Sequence, residues 1–409
     1  MNRLHLKPRV LNVSRSHLSM LFLTLVVLLS GCSSDMDDLS IPNSNAVAST
    51  SNVSSNITKD DAIAIANKVL KKNGTRSGIF NLPSFEYVVS GNSTRSTSTA
   101  DTLAYVLNYP DNAGFVIVAA DRRVYPVLGF SDEGNFSFEN DNAKTNFIDN
   151  IEAYLESANS DDIYDVTDND FDGCYVVNPM VQISLSQRSP WDKYVIQEHP
   201  NCPVGCVAVA TALVMSHSKY QMTYHNSTFH LKSIITAISK GPGSTVTNAP
   251  KRIVGGYPPF QPTYTYEQAV DSMAKLLYWI GKDINMSYSP GGSGAFSSDA
   301  YNLCKSLNFS IPSGYATFDI KKITQYLKDN HIVYLRGSDI DGKGGHAWVS
   351  DACYFCVDLN DRTQILDTYI HCDWGWGGSC NGYYSGSVFE ASSYNFKPGN
   401  YFAIKREWQ

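Results

Sequence analysis

Three short segments of this 409-residue chain hold residue types that do chemistry only in combination. The first is Asn201 to Tyr220, NCPVGCVAVATALVMSHSKY. Pro203 and Gly205 break regular structure just before Cys206, and the nine residues after it carry no charge. That composition predicts a helix buried on all sides, with Cys206 in its first turn. A helix N-terminus carries partial positive charge and unpaired N–H groups, which favour thiolate over thiol and can line an oxyanion hole. By itself the segment fits equally well a small buried Cys packed in a helix.

The second segment pairs a strand, Ile332 to Leu335, with a turn-rich loop, Arg336 to Gly345, and a new strand from His346. A His directly after Gly344-Gly345 stands at a strand end, where a base could reach across a cleft; alone, it is as readily structural. The third is Asp373-Trp374-Gly375-Trp376-Gly377-Gly378. Two Trp among three Gly cannot form a regular helix. The rings either cover something reactive or plug the core beneath a turn.

Taken together the segments resemble the streptopain family of papain-like cysteine peptidases. The matching residues are Val204-Gly205-Cys206-Val207-Ala208, Gly345-His346-Ala347 and Trp374 to Gly378, in the order nucleophile, base, orienting residue. Cys206 and His346 lie 140 positions apart, as the wide separation in papain-like chains requires. Phe115 to Asp121 (FVIVAAD) and Pro126 to Ser131 (PVLGFS) resemble that family's propeptide, which blocks the active cleft. The likeness runs from about residue 58 to the C-terminus.

The resemblance implies an α+β protein: a papain-like cysteine protease domain, with a buried N-terminal helix on an antiparallel sheet, preceded by a small α+β propeptide domain. It implies an endopeptidase made as a zymogen. Cys206 attacks the scissile carbonyl, and His346 takes its proton and later protonates the leaving amine. The family usually has Asn before Trp-Gly-Trp. Here Asp373 is expected to accept from the imidazole and raise its pKa, with Trp374 shielding that bond from water. The family's oxyanion Gln has no clear counterpart; Lys193 and Gln197 are both candidates. Two other readings use the same residues. One is a surface lipoprotein with an impaired protease fold serving as a binding module; the other is a Cys-His acyltransferase.

These segments need elements to position them and a route to their place of action. Arg3, Lys7, Arg9 and Arg15 precede the apolar run Leu18 to Leu29, which is shorter than the ~20 residues of a membrane span and suits a signal peptide. Leu29-Ser30-Gly31-Cys32 resembles a bacterial lipobox, so residues 1–31 are expected to be removed and Cys32 acylated. That makes an outer-membrane lipoprotein, surface-exposed if the acidic Ser33–Asp38 acts as an export signal. Ser/Asn-rich residues 32–57 read as a flexible tether. Residues 58–173 form the propeptide, opened by a helix that Thr58 caps and carrying a hairpin from Leu103 to Ala119. Its acidic end, Ser157 to Gly173, reads as an exposed linker where processing would free the 174–409 domain.

With 12% aromatic residues, 25 of them Tyr, the composition favours β-rich packing. A net charge of −7 argues against nucleic-acid binding. Expected partners are protein or peptide substrates and the chain's own propeptide. No cofactor motif appears. Cys353 and Cys356 sit in a strand-like run rather than a zinc knuckle, and His217, His225 and His230 do not share a helical face, so no metal site is expected.

Overall fold

The computed structural model describes residues 54–72, 83–89, 102–137, 150–160, 162–166, 173–246, 262–338, 345–357, 365–391 and 397–407. The expected signal peptide, Cys32 and nearly all of the expected tether lie outside them.

Thr58 opens the helix Lys59–Lys72. Its hydroxyl accepts from the Asp61 N–H at 3.2 Å, and Asp61 returns a bond to the Thr58 N–H at 3.0 Å, a capping box built with Asp. The apolar stripe Ala62, Ile65, Ala66 and Val69 is buried. It packs on an antiparallel group of strands, β1 (Ser84–Val89), β2 (Thr102–Asn108), β3 (Phe115–Ala119) and β4 (Val127–Ser131). β2 and β3 form the expected hairpin.

β5 (Cys174–Val177) begins the second half. Two short ribbons, β6 (Met222–Tyr224) with β7 (Ser227–Phe229) and β8 (Thr245–Val246) with β9 (Tyr264–Thr265), stand apart from the main sheet. β10 (Ala316–Thr317), β11 (His331–Ser338), β12 (Gly345–Val357), β13 (Ile365–Asp373), β14 (Gly382–Ser385) and β15 (Lys397–Lys405) complete it. The order is β1-β2-β3-β4-β14-β13-β12-β11-β15-β10, with β5 also on β12. β4 and β14 therefore join the two halves into one sheet, and the chain from Val53 onward is one compact unit.

The helix Cys206–Ser218 lies against β11 and β12, and every residue in it after Cys206 is buried. This is what an uncharged helix needs, since no face of it is suited to water. The extended segment that leads to it is stitched down by buried polar groups. Asp351 accepts from the Val181 N–H at 2.7 Å, and His217 Nε2 accepts from the Gln182 N–H at 3.1 Å. Asp351 also binds His371 Nδ1 at 2.6 Å; burial opposes a charge on that imidazole, but the carboxylate still holds it above its usual range. A disulfide between Cys174 and Cys356 ties β5 to β12, leaving Cys353, the other half of the C-x-x-C, as a buried thiol.

Candidate active site

Gly205 caps the buried helix at φ +94, a conformation that L side chains rarely adopt. A Cβ there would lie 2.7 Å from Met286 Cε and 3.0 Å from the Ser293 carbonyl. The Gly-rich loop closed by the Ser287–Gly294 bridge thus packs directly beside the residue that precedes Cys206. Arg188 braces the same corner, donating to the Asn201 carbonyl at 2.7 Å and the Pro290 carbonyl at 3.3 Å.

Cys206, the first residue of the helix, is partly exposed. Burial of the thiol group pushes its pKa up, against the pull of the N–H groups of Ala347, Val207 and Cys206 itself. The first of those donors immediately follows His346. The sulfur and the imidazole-bearing residue, 140 positions apart in sequence, are thus brought to the same strand end.

His346 is buried at the start of β12. Its Nε2 lies 2.8 Å from the main-chain oxygen of Trp374. A carbonyl can only accept, so Nε2 carries the proton, and the lone pair of the neutral ring lies on Nδ1. The ring stacks on Trp376 at 5.0 Å, with Trp348 and Trp374 at 6.1 and 6.2 Å. Burial lowers its pKa to about 4, although the bond to Trp374 works the other way.

The Trp loop owes its path to its glycines. Gly375 stands at φ +71, and a Cβ there would lie 2.8 Å from Val209 Cγ1, so the loop crosses the helix one turn from Cys206. The Gly377 N–H donates to the Leu185 carbonyl at 2.8 Å.

Asp373 differs from the sequence expectation. Its carboxylate accepts from the Gly375 N–H at 3.0 Å and is bonded by the Asn381 side chain, not by the imidazole. The bond expected of it is made by the Trp374 carbonyl. The reason is local: the left-handed turn at Gly375 folds the peptide back over the Asp373 carboxylate and points the preceding carbonyl at His346. Burial raises Asp373 to about 6, against the pull of the Gly375 N–H. Nor does it raise the histidine, whose shift is downward. Trp374 supplies the hydrogen-bond acceptor itself as well as a covering ring.

Lys193 is also corrected. It pairs with Asp271, which takes a bond from Tyr194 too, so the cation is committed to the surface rather than to an oxyanion. Gln197 is exposed on the short helix Val195–Glu198. Asn381 went unnoticed in the sequence, yet its Oδ1 accepts from the Trp374 N–H at 3.1 Å while its side chain holds Asp373. A polar residue closing a turn seven positions after Trp374 is the only signal it gave.

The N-terminal half also reaches this loop. The Cys380 N–H donates to the Asn135 carbonyl at 3.2 Å, and its thiol to the Ser137 carbonyl at 3.4 Å.

Comparison with known proteins bears on both halves. Residues 185–384 match the Peptidase C10 family model, and residues 54–158 match that of the Spi protease inhibitor. Streptopain of Streptococcus pyogenes is 27% identical over 319 residues, covering 68% of this chain and 73% of that one. The thiol protease/hemagglutinin PrtT of Porphyromonas gingivalis is 25% identical over 329 residues, covering 70% of this chain and 34% of that one. A solved fragment of Prevotella intermedia prointerpain A aligns with 78% of this chain and 98% of its own, at 19% identity and a TM-score of 0.49.

Proposed function

Because the chain belongs to the streptopain family, Peptidase C10, and is a cysteine peptidase carrying its own inhibitor domain, we propose that Cys206 is its nucleophile and His346 its base. The observation that carries this reading is that His346 has Nε2 fixed on the Trp374 carbonyl at 2.8 Å, while the N–H of Ala347, the next residue along the strand, lies close enough to pull the Cys206 thiol pKa down. The Nδ1 lone pair is then the one suited to take the thiol proton.

In the reaction, His346 removes the Cys206 proton and the sulfur attacks the scissile carbonyl. The N–H groups at the helix start stabilise the oxygen as it gains charge. The imidazolium then passes its proton to the leaving amine, and water hydrolyses the thioester. Trp374 keeps the ring oriented throughout. Substrates are proteins or peptides lying extended in the cleft.

The form described is the precursor. With the thiol pKa raised and the imidazole lowered to about 4, both groups are neutral at pH 7, the state of a latent enzyme. Processing between the two halves releases it. The test is hydrolysis of an unfolded protein by the processed chain. Cys206→Ala and His346→Ala are each expected to abolish cleavage, and undiminished cleavage by Cys206→Ala overturns the assignment.

We also propose export, with removal of residues 1–31, acylation of Cys32 and anchoring in the outer membrane, the mature domain being released or surface-bound. The basic start, the apolar run and Leu29-Ser30-Gly31-Cys32 support this. Among the described residues no helix is long and apolar enough to cross a membrane. A Cys32→Ala chain that still incorporates fatty acid and sediments with membranes contradicts it.

A further inference from the structure

β4 is held to β14 by only two residue pairs, Phe130 with Tyr383 and Gly129 with Tyr384. The side chains give the junction its chemistry. The Phe130 ring stacks on Tyr383 at 5.3 Å and meets Tyr369 and Tyr354 edge-on at 5.4 and 5.6 Å. These three tyrosines belong to the peptidase half, and Phe130 fills the box they form. The Tyr369 hydroxyl adds a bond to the Val127 carbonyl at 2.9 Å. At Gly129 a Cβ would lie 3.1 Å from the Tyr383 carbonyl and 3.1 Å from a Tyr384 ring carbon, so only a very small residue fits before the aromatic. After β4 the chain continues toward the Trp loop, where Asn135 and Ser137 meet Cys380.

When the N-terminal half leaves, β14 loses its neighbour on that side. Its N–H and carbonyl groups become an open sheet edge beside an empty aromatic box, the arrangement that binds extended peptides by strand addition. We propose that β14 and the box of Tyr354, Tyr369 and Tyr383 form an exosite for protein substrates, which takes an extended Gly-aromatic stretch as β4 does and leads the chain toward the catalytic loop. This rests on the peptidase reading and on removal of the propeptide. The occupant is an unfolded stretch of substrate because the surface reads main chain plus one small-aromatic pair, features that such stretches supply and folded surfaces do not.

The test uses the full chain processed by itself or by added protease, separated from its propeptide. Two peptides share one cleavable segment, and one carries the N-terminal extension YPVLGFSDE copied from residues 125–133. The extension is expected to lower KM about tenfold, the worth of one buried aromatic ring. Replacing its Phe by Ala, or making Tyr354→Ala in the enzyme, removes the gain and leaves the short peptide's kinetics unchanged; product masses confirm cleavage at the shared bond. Equal KM values for the two peptides overturn the exosite and leave the peptidase standing. If neither peptide is cleaved, the peptidase reading fails instead. Fluorescence anisotropy of the labelled extension on the same protein then decides the exosite, which falls if binding does not depend on the Phe.

Discussion

His346 and Asp373 are joined through a single peptide unit. The Trp374 carbonyl accepts from His346 Nε2 at 2.8 Å, and the Gly375 N–H, on the opposite side of the same unit, donates to Asp373 at 3.0 Å. An ionised Asp373 polarises that peptide and strengthens the carbonyl as an acceptor, so the carboxylate acts on the imidazole at one remove. Asn381 fixes the preceding N–H, and the carbonyl has little freedom to turn away.

Asp373→Asn is therefore expected to keep most activity, because an amide oxygen can still accept from Gly375. It should alter the acid limb of the pH profile near 6, where the native carboxyl titrates. Asp373→Ala leaves a buried N–H without a partner, a loss of about 1–3 kcal/mol. That corresponds to roughly a tenfold to hundredfold fall in kcat/KM. An Ala variant as active as the Asn variant, measured across pH 5 to 8, contradicts the relay.

The thiol should show its latency directly. In the precursor the raised Cys206 pKa leaves little thiolate at pH 7, so alkylation by iodoacetamide is slow and speeds up as pH rises above the ordinary thiol range. After processing, the rate at pH 7 is expected to rise at least ~10-fold as water reaches the pair and the thiolate–imidazolium state becomes accessible. Equal rates before and after, followed by peptide mass, count against a site held neutral by burial.

His217 offers a cleaner test of burial than the catalytic residues. Its pKa is lowered to about 4 by burial, and it accepts from the Gln182 N–H. The unfolded chain takes up that proton near pH 6.5, but the folded chain does not until near 4. This group's contribution therefore falls as pH drops through that window, by about 3 kcal/mol in total. Asp367 and Asp373, both raised to about 6, act with the opposite sign between about pH 3.8 and 6, so only a difference isolates the histidine. The deficit of His217→Gln relative to wild type, measured by urea unfolding, should shrink by about 3 kcal/mol between pH 7 and 4. A deficit independent of pH contradicts a neutral buried imidazole.

Gly205→Ala should damage the site from one residue away. The new methyl meets Met286 and the Ser293 carbonyl, in a backbone conformation that costs a non-glycine residue about 1–3 kcal/mol. A lower melting temperature and reduced peptide cleavage are expected together. A variant with unchanged melting and turnover means that the 287–294 loop yields freely and does not hold the start of the Cys206 helix in place.

Much of this was readable in advance wherever chemistry depends on neighbours in sequence. The charge-free run after Cys206 specified a helix buried all round, and Gly344-Gly345 placed His346 at a strand end. The errors arose where partners are chosen by three-dimensional paths. Asp373 adjoins the Trp motif, but which way the next peptide unit turns depends on a positive φ at Gly375, where a side chain would run into Val209. Lys193 was a candidate by position, yet its partner Asp271 is 78 residues away on the helix Tyr266–Asp283. The pairing of Cys174 with Cys356 spans 182 residues and follows from strand register alone. The joining of the two halves through β4 and β14 rests on two residue pairs that leave no local pattern.

The most direct measurement treats the processed chain with a thiol-directed epoxide and locates the adduct by mass. One adduct on Cys206, absent from His346→Ala at the same pH, is the predicted result. Modification spread over Cys202, Cys304 or Cys380, or labelling of Cys206 that is indifferent to His346, contradicts the pairing of that sulfur with that imidazole.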